Sequence, residues 1–384
     1  MFEAKRADRT LRRAPVALVW MLALAAATII TPLAVEKPAL AAETFPRRLS
    51  DAQFWQLVTG FSETGGTFIS DNFVSNEQAF QDVIPRLKKR SSRGGAYLGV
   101  GPDQNFSYIV ALRPQVAFIV DIRRQNLMQH LLYKALFELS HDRVEFLSRL
   151  FSRARPPDLG GNLSAGRLIA AYAAVAPDET LYRRNLTAIV RRLTRDHHFA
   201  LTGEDLISLN YVYRAFFSEG PDIQYFVARV PNLRFPTYGE LVQATDADGE
   251  PHGYLATEQN FRMLKDFEQR NLLVPIVGDF AGEKALPAVS TYLKEHGLVV
   301  AAFYVSNVEV YLFNQPPAWR RFYSHVGALP TDESSVFIRS YNLPAASQAT
   351  RIRLATVLDS LEDLTRAVDG GSIKTYGDVI ARSQ

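Results

Sequence analysis

The sequence predicts an α/β protein: a doubly wound, mostly parallel sheet, interrupted by an all-helical insertion and preceded by a hydrophobic N-terminal segment. Three observations carry this. Ala96–Gly101 and Val116–Asp121 are short apolar runs flanking a helical stretch over 103–112, a βαβ unit within 26 residues. Apolar runs alternating with helical patterns return after Asn260. Neither set of runs shows polar alternation, as expected of strands covered on both faces.

The N-terminus comes first. Five Lys or Arg residues lie within positions 1–13, and Ala14 to Val35 then carries no charge. With Pro38-Ala39-Leu40-Ala41-Ala42 following, this is the order of a secretory signal, with cleavage after Ala41. The 22-residue apolar run is also long enough to remain as an uncleaved anchor. Either way the rest of the chain is expected to be exported, in the periplasm or on the extracytoplasmic face of the inner membrane. Arg12-Arg13 is a twin arginine, but Pro15 breaks the apolar position that should follow.

The net charge of +3 resides in that leader, where residues 1–41 hold six basic and three acidic side chains. The remainder is balanced and has no global field for phosphate backbones, which argues against a nucleic-acid partner. Absence of cysteine excludes disulfides, thiolate metal sites and a cysteine nucleophile.

Ser50-Asp51 caps a helix bearing Phe54, Trp55, Leu57 and Val58, and Phe80, Val83, Ile84 and Leu87 form a second apolar stripe. Between them, residues 63–77 are dense in polar groups and glycine. Beyond Asp121 a long helix is expected over 125–151, broken by Arg155-Pro156-Pro157. Three helices fill 163–218, with Asp178 capping the second and Thr202/Asp205 forming a capping box for the third. Arg183, Arg184, Arg191, Arg192 and Arg195 mark either a solvated face or an anion or partner surface. Leu272–Asp279 and Leu298–Val305 read as strands three and four around a helix over 283–296, and Ser335–Tyr341 as strand five. The last forty residues read as helical and polar. The chain thus divides into 1–41, a helical and loop region 42–94, a first α/β half 95–152, the insertion 153–222, a second half 223–345 and a helical tail 346–384.

Ligands of open parallel sheets gather beyond the carboxyl ends of the strands, at the switch in strand order. Gly99 through Asn105 follows the first strand, Asp121 ends the second, Asp279 the third, and Ser306-Asn307 the fourth. A carboxylate after the second strand suits a ribose diol, and an acid after the third suits an adenine amino group. Each position has a plain alternative. Gly99 and Gly101 serve as turn residues, Asp121 pairs with Arg123-Arg124, Asp279 caps the next helix, and Ser306-Asn307 caps a short one. His197-His198 has no partner at metal spacing, so no metal is expected.

Leu98-Gly99-Val100-Gly101, Val120-Asp121-Ile122, Val277-Gly278-Asp279-Phe280 and Tyr304-Val305-Ser306-Asn307-Val308-Glu309 stand in the order of four motifs. On them the chain resembles the class I S-adenosylmethionine-dependent methyltransferase core, a Rossmann-type fold. It resembles more closely a family of uncharacterised bacterial proteins with that core. The likeness covers about 95–125 and 270–342. It implies S-adenosylmethionine as cofactor, held by Gly99, Gly101, Asp103, Asn105, Asp121, Asp279 and Phe280. Ser306, Asn307 or the 71–77 loop would position a methyl acceptor. Asp103 and Asn105 stand where further glycines are usual; of the non-glycine residues these tolerate left-handed backbone best. The fourth motif lacks the Asn/Asp-Pro-Pro-aromatic signature of amino-group methylation. The expectation is therefore a methyltransferase-like domain, or a non-catalytic exported binding or interaction protein on the same fold. The membrane would be a partner only through an uncleaved leader.

Overall fold

The computed structural model describes residues 45–90, 94–157, 159, 163–225, 234–342 and 354–383. The expected signal or anchor in 1–41 lies outside the described residues. Within them a six-stranded sheet runs in the order β3-β2-β1-β4-β5-β6. Its strands are β1 (Ala96–Gly99), β2 (Val116–Asp121), β3 (Leu273–Val277), β4 (Val300–Ser306), β5 (Val336–Asn342) and β6 (Leu354–Ser360). The first five pair in parallel and β6 returns antiparallel to β5. Strand order reverses between β1 and β4, which is the switch point of a doubly wound sheet.

Before β1 lie α1 (Asp51–Phe61) and α2 (Ile84–Arg90), and between β1 and β2 lies α3 (Gln104–Leu112). Ser50 forms a capping box with Gln53 at the start of α1. β2 and β3 are adjacent although residues 122–272 separate them, so the helical block is an insertion in the crossover of a βαβ unit. That block contains α4 (Arg124–Leu139), α5 (Arg143–Phe151), α6 (Ala165–Ala173), α7 (Glu179–Arg191), α8 (Gly203–Glu219), α9 (Tyr238–Val242) and α10 (Glu258–Gln269). A π-helical turn, Arg192–Asp196, extends α7. It delivers His197 to Glu138 of α4, Nε2 to Oε2 at 2.6 Å. Arg183, Arg184, Arg191 and Arg195 are exposed. After β3 come α11 (Ala285–Glu295), α12 (Val308–Phe313) and α13 (Pro316–Gly327), and after β6 come α14 (Leu361–Asp369) and α15 (Tyr376–Ile380).

Two expectations are corrected. The helix foreseen over 125–151 is two, because Ser140 turns extended and Asp142 caps a new start by accepting from Glu145 N at 2.7 Å. The helical tail contains strand β6, whose Leu354, Val357 and Leu358 are buried against its antiparallel partner. Two further caps form as read: Asp178 accepts from Thr180 and Leu181, and Thr202 and Asp205 complete a capping box.

Buried strands explain the core. All positions of β1, β2 and β3 are buried, with helices against the sheet, so each Val, Leu, Ile or Phe among them contributes roughly 1.5–3 kcal/mol of transfer energy.

Candidate functional site

The carboxyl ends of β1, β2, β3 and β4 open into one cavity of about 270 Å³. Gly101, Asp121, Asp279, Phe280, Ser306 and Asn307 all line it, so residues from four strand ends converge there. A larger trough, about 880 Å³, lies between α1 and α11, and none of the strand-end residues lines it.

The turn after β1 differs from its expected form. Gly101 alone takes a left-handed backbone (φ 76°), while Asp103 is right-handed and Asn105 lies within α3. Neither of these two side chains lines the cavity. Asn105 folds back under the turn, where Nδ2 donates to the carbonyls of Val100 (2.9 Å) and Pro102 (2.7 Å) and Oδ1 accepts from Tyr97 (2.8 Å). A side chain on Gly99 would strike Asn105 Oδ1, so Gly99 gives room to Asn105 and does not line the cavity. Asp103 points the other way and accepts from the Tyr254 hydroxyl at 2.9 Å. Burial pushes its carboxyl up to about 7, partly offset by that hydrogen bond. His130 Nε2 donates to the Gly101 carbonyl (2.9 Å), and burial lowers its pKa to about 4, keeping it neutral.

Asp121 is engaged rather than free. Its two oxygens accept from Arg123 Nε (3.0 Å) and Nη2 (2.7 Å), and both side chains are buried. Arg124 instead pairs with Asp205 of α8. The Asp279 carboxylate accepts from Ala281 N at 2.9 Å in a local turn, well before α11 begins. Phe280 stacks on Phe322 and meets Phe303 edge-on.

The 62–77 segment roofs the cavity. Glu63 N donates to the Val277 carbonyl (3.0 Å) and Gly66 N to that of Ile122 (2.8 Å), binding the segment to the ends of β3 and β2. A Cβ on Gly66 would fall 2.6 Å from the end of the half-buried Ile122 side chain, so a larger residue there would have to turn that side chain aside. Thr67, Phe68, Asn72, Ser75 and Asn76 then face the cavity. At its mouth Phe68 meets Tyr311 edge-on at 5.1 Å, beside the exposed Ile69.

At the β4 end the register shifts between Tyr304 and Ser306, and Ser306 adopts φ 50°. Such a bulge re-aims a side chain, and a left-handed non-glycine residue costs about 1–3 kcal/mol. Ser306 Oγ is thereby carried onto Glu77, donating to Oε1 at 2.5 Å. Glu77 is buried and also accepts from Tyr304 (2.9 Å) and Gln104 (2.6 Å). Burial, then the Glu77 carboxylate, hold the Tyr304 phenol well above the usual tyrosine range. Beyond the bulge, Arg339 of β5 pairs with Glu309 of α12 and Asp359 of β6, and Tyr323 donates to Glu309, locking the turn from beneath. Sequence reasoning pointed to the loop but not to Glu77. The one local signal was the density of polar residues between Gly66 and Glu77. Among the described residues, no group of three or more His, Asp or Glu is placed to hold a metal.

The family described as Domain of unknown function (DUF7790) matches residues 72–200 and 235–366. No curated protein matches the chain.

Proposed function

The chain belongs to that family of unknown function, and from the arrangement of its own residues we propose that the strand-end cavity binds a nucleoside-type small molecule, with S-adenosylmethionine the foremost ligand and methyl transfer the corresponding activity. The observation that carries this is the convergence of Gly101, Asp121, Asp279 and Phe280 with Ser306 and Asn307 on one cavity at the switch point. Two carboxylates and one guanidinium among the lining residues favour a neutral or cationic ligand over a polyanion.

The residues fit the nucleoside portion of that cofactor. Asp121 would face the ribose, Asp279 and Phe280 the adenine, and Gly101 would offer backbone at the turn. When bound, the cofactor supplies an electrophilic methyl group. The chain itself contributes binding, orientation and exclusion of water beneath the 62–77 roof. Calorimetry of residues 42–384 with S-adenosylmethionine and its demethylated product tests the proposal. Micromolar binding lost in Asp121→Ala supports it; silence at millimolar ligand defeats it.

A second reading is a non-catalytic exported binding protein. Two observations favour it: Asn105 fills the hollow of the turn, and Arg123 already occupies Asp121. Export by the N-terminal leader belongs to both readings. N-terminal sequencing of the protein from a periplasmic fraction tests it, and recovery of uncleaved chain from the cytosol alone defeats it.

A further inference from the structure

The β4 side of the cavity carries an arrangement whose chemistry goes beyond holding a nucleoside. Ser306 occupies a strand-to-helix elbow between β4 and α12, with left-handed backbone, and lines the cavity. Strand-to-helix elbows expose a serine Oγ at the top of a sheet in nucleophilic enzymes; the glycines that flank the serine there are Tyr304 and Val308 here, so the likeness is in the backbone turn and not in the motif. Its Oγ donates to the buried Glu77 carboxylate at 2.5 Å, and the other side-chain donors on Glu77, Tyr304 and Gln104, are neutral groups. An activated nucleophile needs a proton acceptor within such reach, itself oriented by further groups. Asn307, next in sequence, also lines the cavity, and its carboxamide makes no capping bond to α12. A carboxamide beside a nucleophile can donate to a developing oxyanion.

We infer that Ser306, Glu77 and Asn307 form an acyl-transfer site for small, uncharged esters, with Ser306 as nucleophile, Glu77 as proton acceptor and Asn307 as oxyanion donor. The Ser306 Oγ–carbon bond forms as its proton passes to Glu77 and the carbonyl π pair moves to oxygen beside Asn307. Collapse breaks the ester C–O bond, and the alcohol leaves with the proton held by Glu77. Water then attacks the acyl-serine, giving one proton to Glu77, and Ser306 regains it as the acid departs. Ester and water thus become acid and alcohol, with no cofactor. The aromatic mouth, Phe68 and Tyr311, favours an apolar acyl group. Holding the elbow falls to Arg339, the register partner of Ser306, through its ion pair with Glu309.

The test incubates the full chain with an alkyl fluorophosphonate and maps the adduct by mass spectrometry, alongside p-nitrophenyl acetate hydrolysis. The expected result is one adduct, on the Ser306 peptide, absent in Ser306→Ala and at least tenfold slower in Glu77→Gln, with cooperative melting retained. Should Glu77→Gln not fold, Asn307→Ala keeps the test open, with ester hydrolysis expected to fall about 10²-fold. No adduct on the unaltered chain, an adduct that persists in Ser306→Ala, or an unchanged rate in Asn307→Ala overturns the inference. Failure here is separable from failure of the nucleoside reading, because labelling needs no nucleoside and calorimetry needs no nucleophile.

Discussion

Arg123 closes on Asp121 through three nitrogens: its backbone N and Nε reach Oδ1 at 2.9 and 3.0 Å, and Nη2 reaches Oδ2 at 2.7 Å. Its remaining Nη1 donates to the Asp71 carbonyl. One guanidinium therefore neutralises the acid at the end of β2 and fastens the cavity roof to it.

Replacing Arg123 by Met strands a buried carboxylate. Breaking a buried pair from one side costs about 3–5 kcal/mol, and urea denaturation is expected to show a loss of that size. Amide exchange at 71–77 should speed up in the same variant. A change under about 1 kcal/mol with unaltered exchange contradicts the assigned role.

Arg339→Met leaves both Glu309 and Asp359 without their cation in the interior. A loss of about 3–5 kcal/mol is expected in denaturant unfolding. The double variant Arg339→Met/Glu309→Gln should recover part of it, because one stranded charge is removed with its partner.

Stability should depend on pH through Asp103. Burial raises its folded pKa to about 7 from 3.8, so between those values the folded chain holds a proton that the unfolded chain has released. The stabilising contribution is full below pH 3.8 and is lost as pH rises through 7. His130 acts in the opposite sense: burial lowers it to about 4 from 6.5, so stability falls as pH drops through that interval. Asp103→Asn should remove only the first slope. Its stability relative to the unaltered chain should climb by up to about 1.4 kcal/mol per pH unit between pH 4 and 7. A pH-independent difference would falsify the assignment.

Gly99→Ala drives a methyl into Asn105 Oδ1. Overpacking of this kind costs about 1–3 kcal/mol. Because Asn105 ties together the carbonyls of the turn, thermal melting should drop by several degrees, and an unchanged melting temperature would contradict this packing.

β1 to β4 were readable because each is a nearly unbroken apolar run, a property of the segment alone, and β5 was readable from the Val336–Ile338 run ahead of its buried Arg339. β6 was not, since Leu354–Ser360 ends in polar residues and leads into an amphipathic helix. Its extended form comes from pairing with β5, which no local pattern announces. The same division holds in the cavity. The Asp121–Arg123 pair spans two positions and was readable as one of two alternatives. Glu77 meets Ser306 across 229 positions, and the turn of Asn105 away from the cavity depends on Tyr97 and the carbonyls around it.

That separation bears on the order in which the protein acquires its parts. The roof is contributed ahead of β1 and the opposite wall after β4, so no fragment ending before residue 306 holds both. Long-range closure is slow because its entropy is lost before any contact rewards it. The cavity should thus be a late product of folding, and refolding followed at Tyr304 should lag behind the appearance of helical signal.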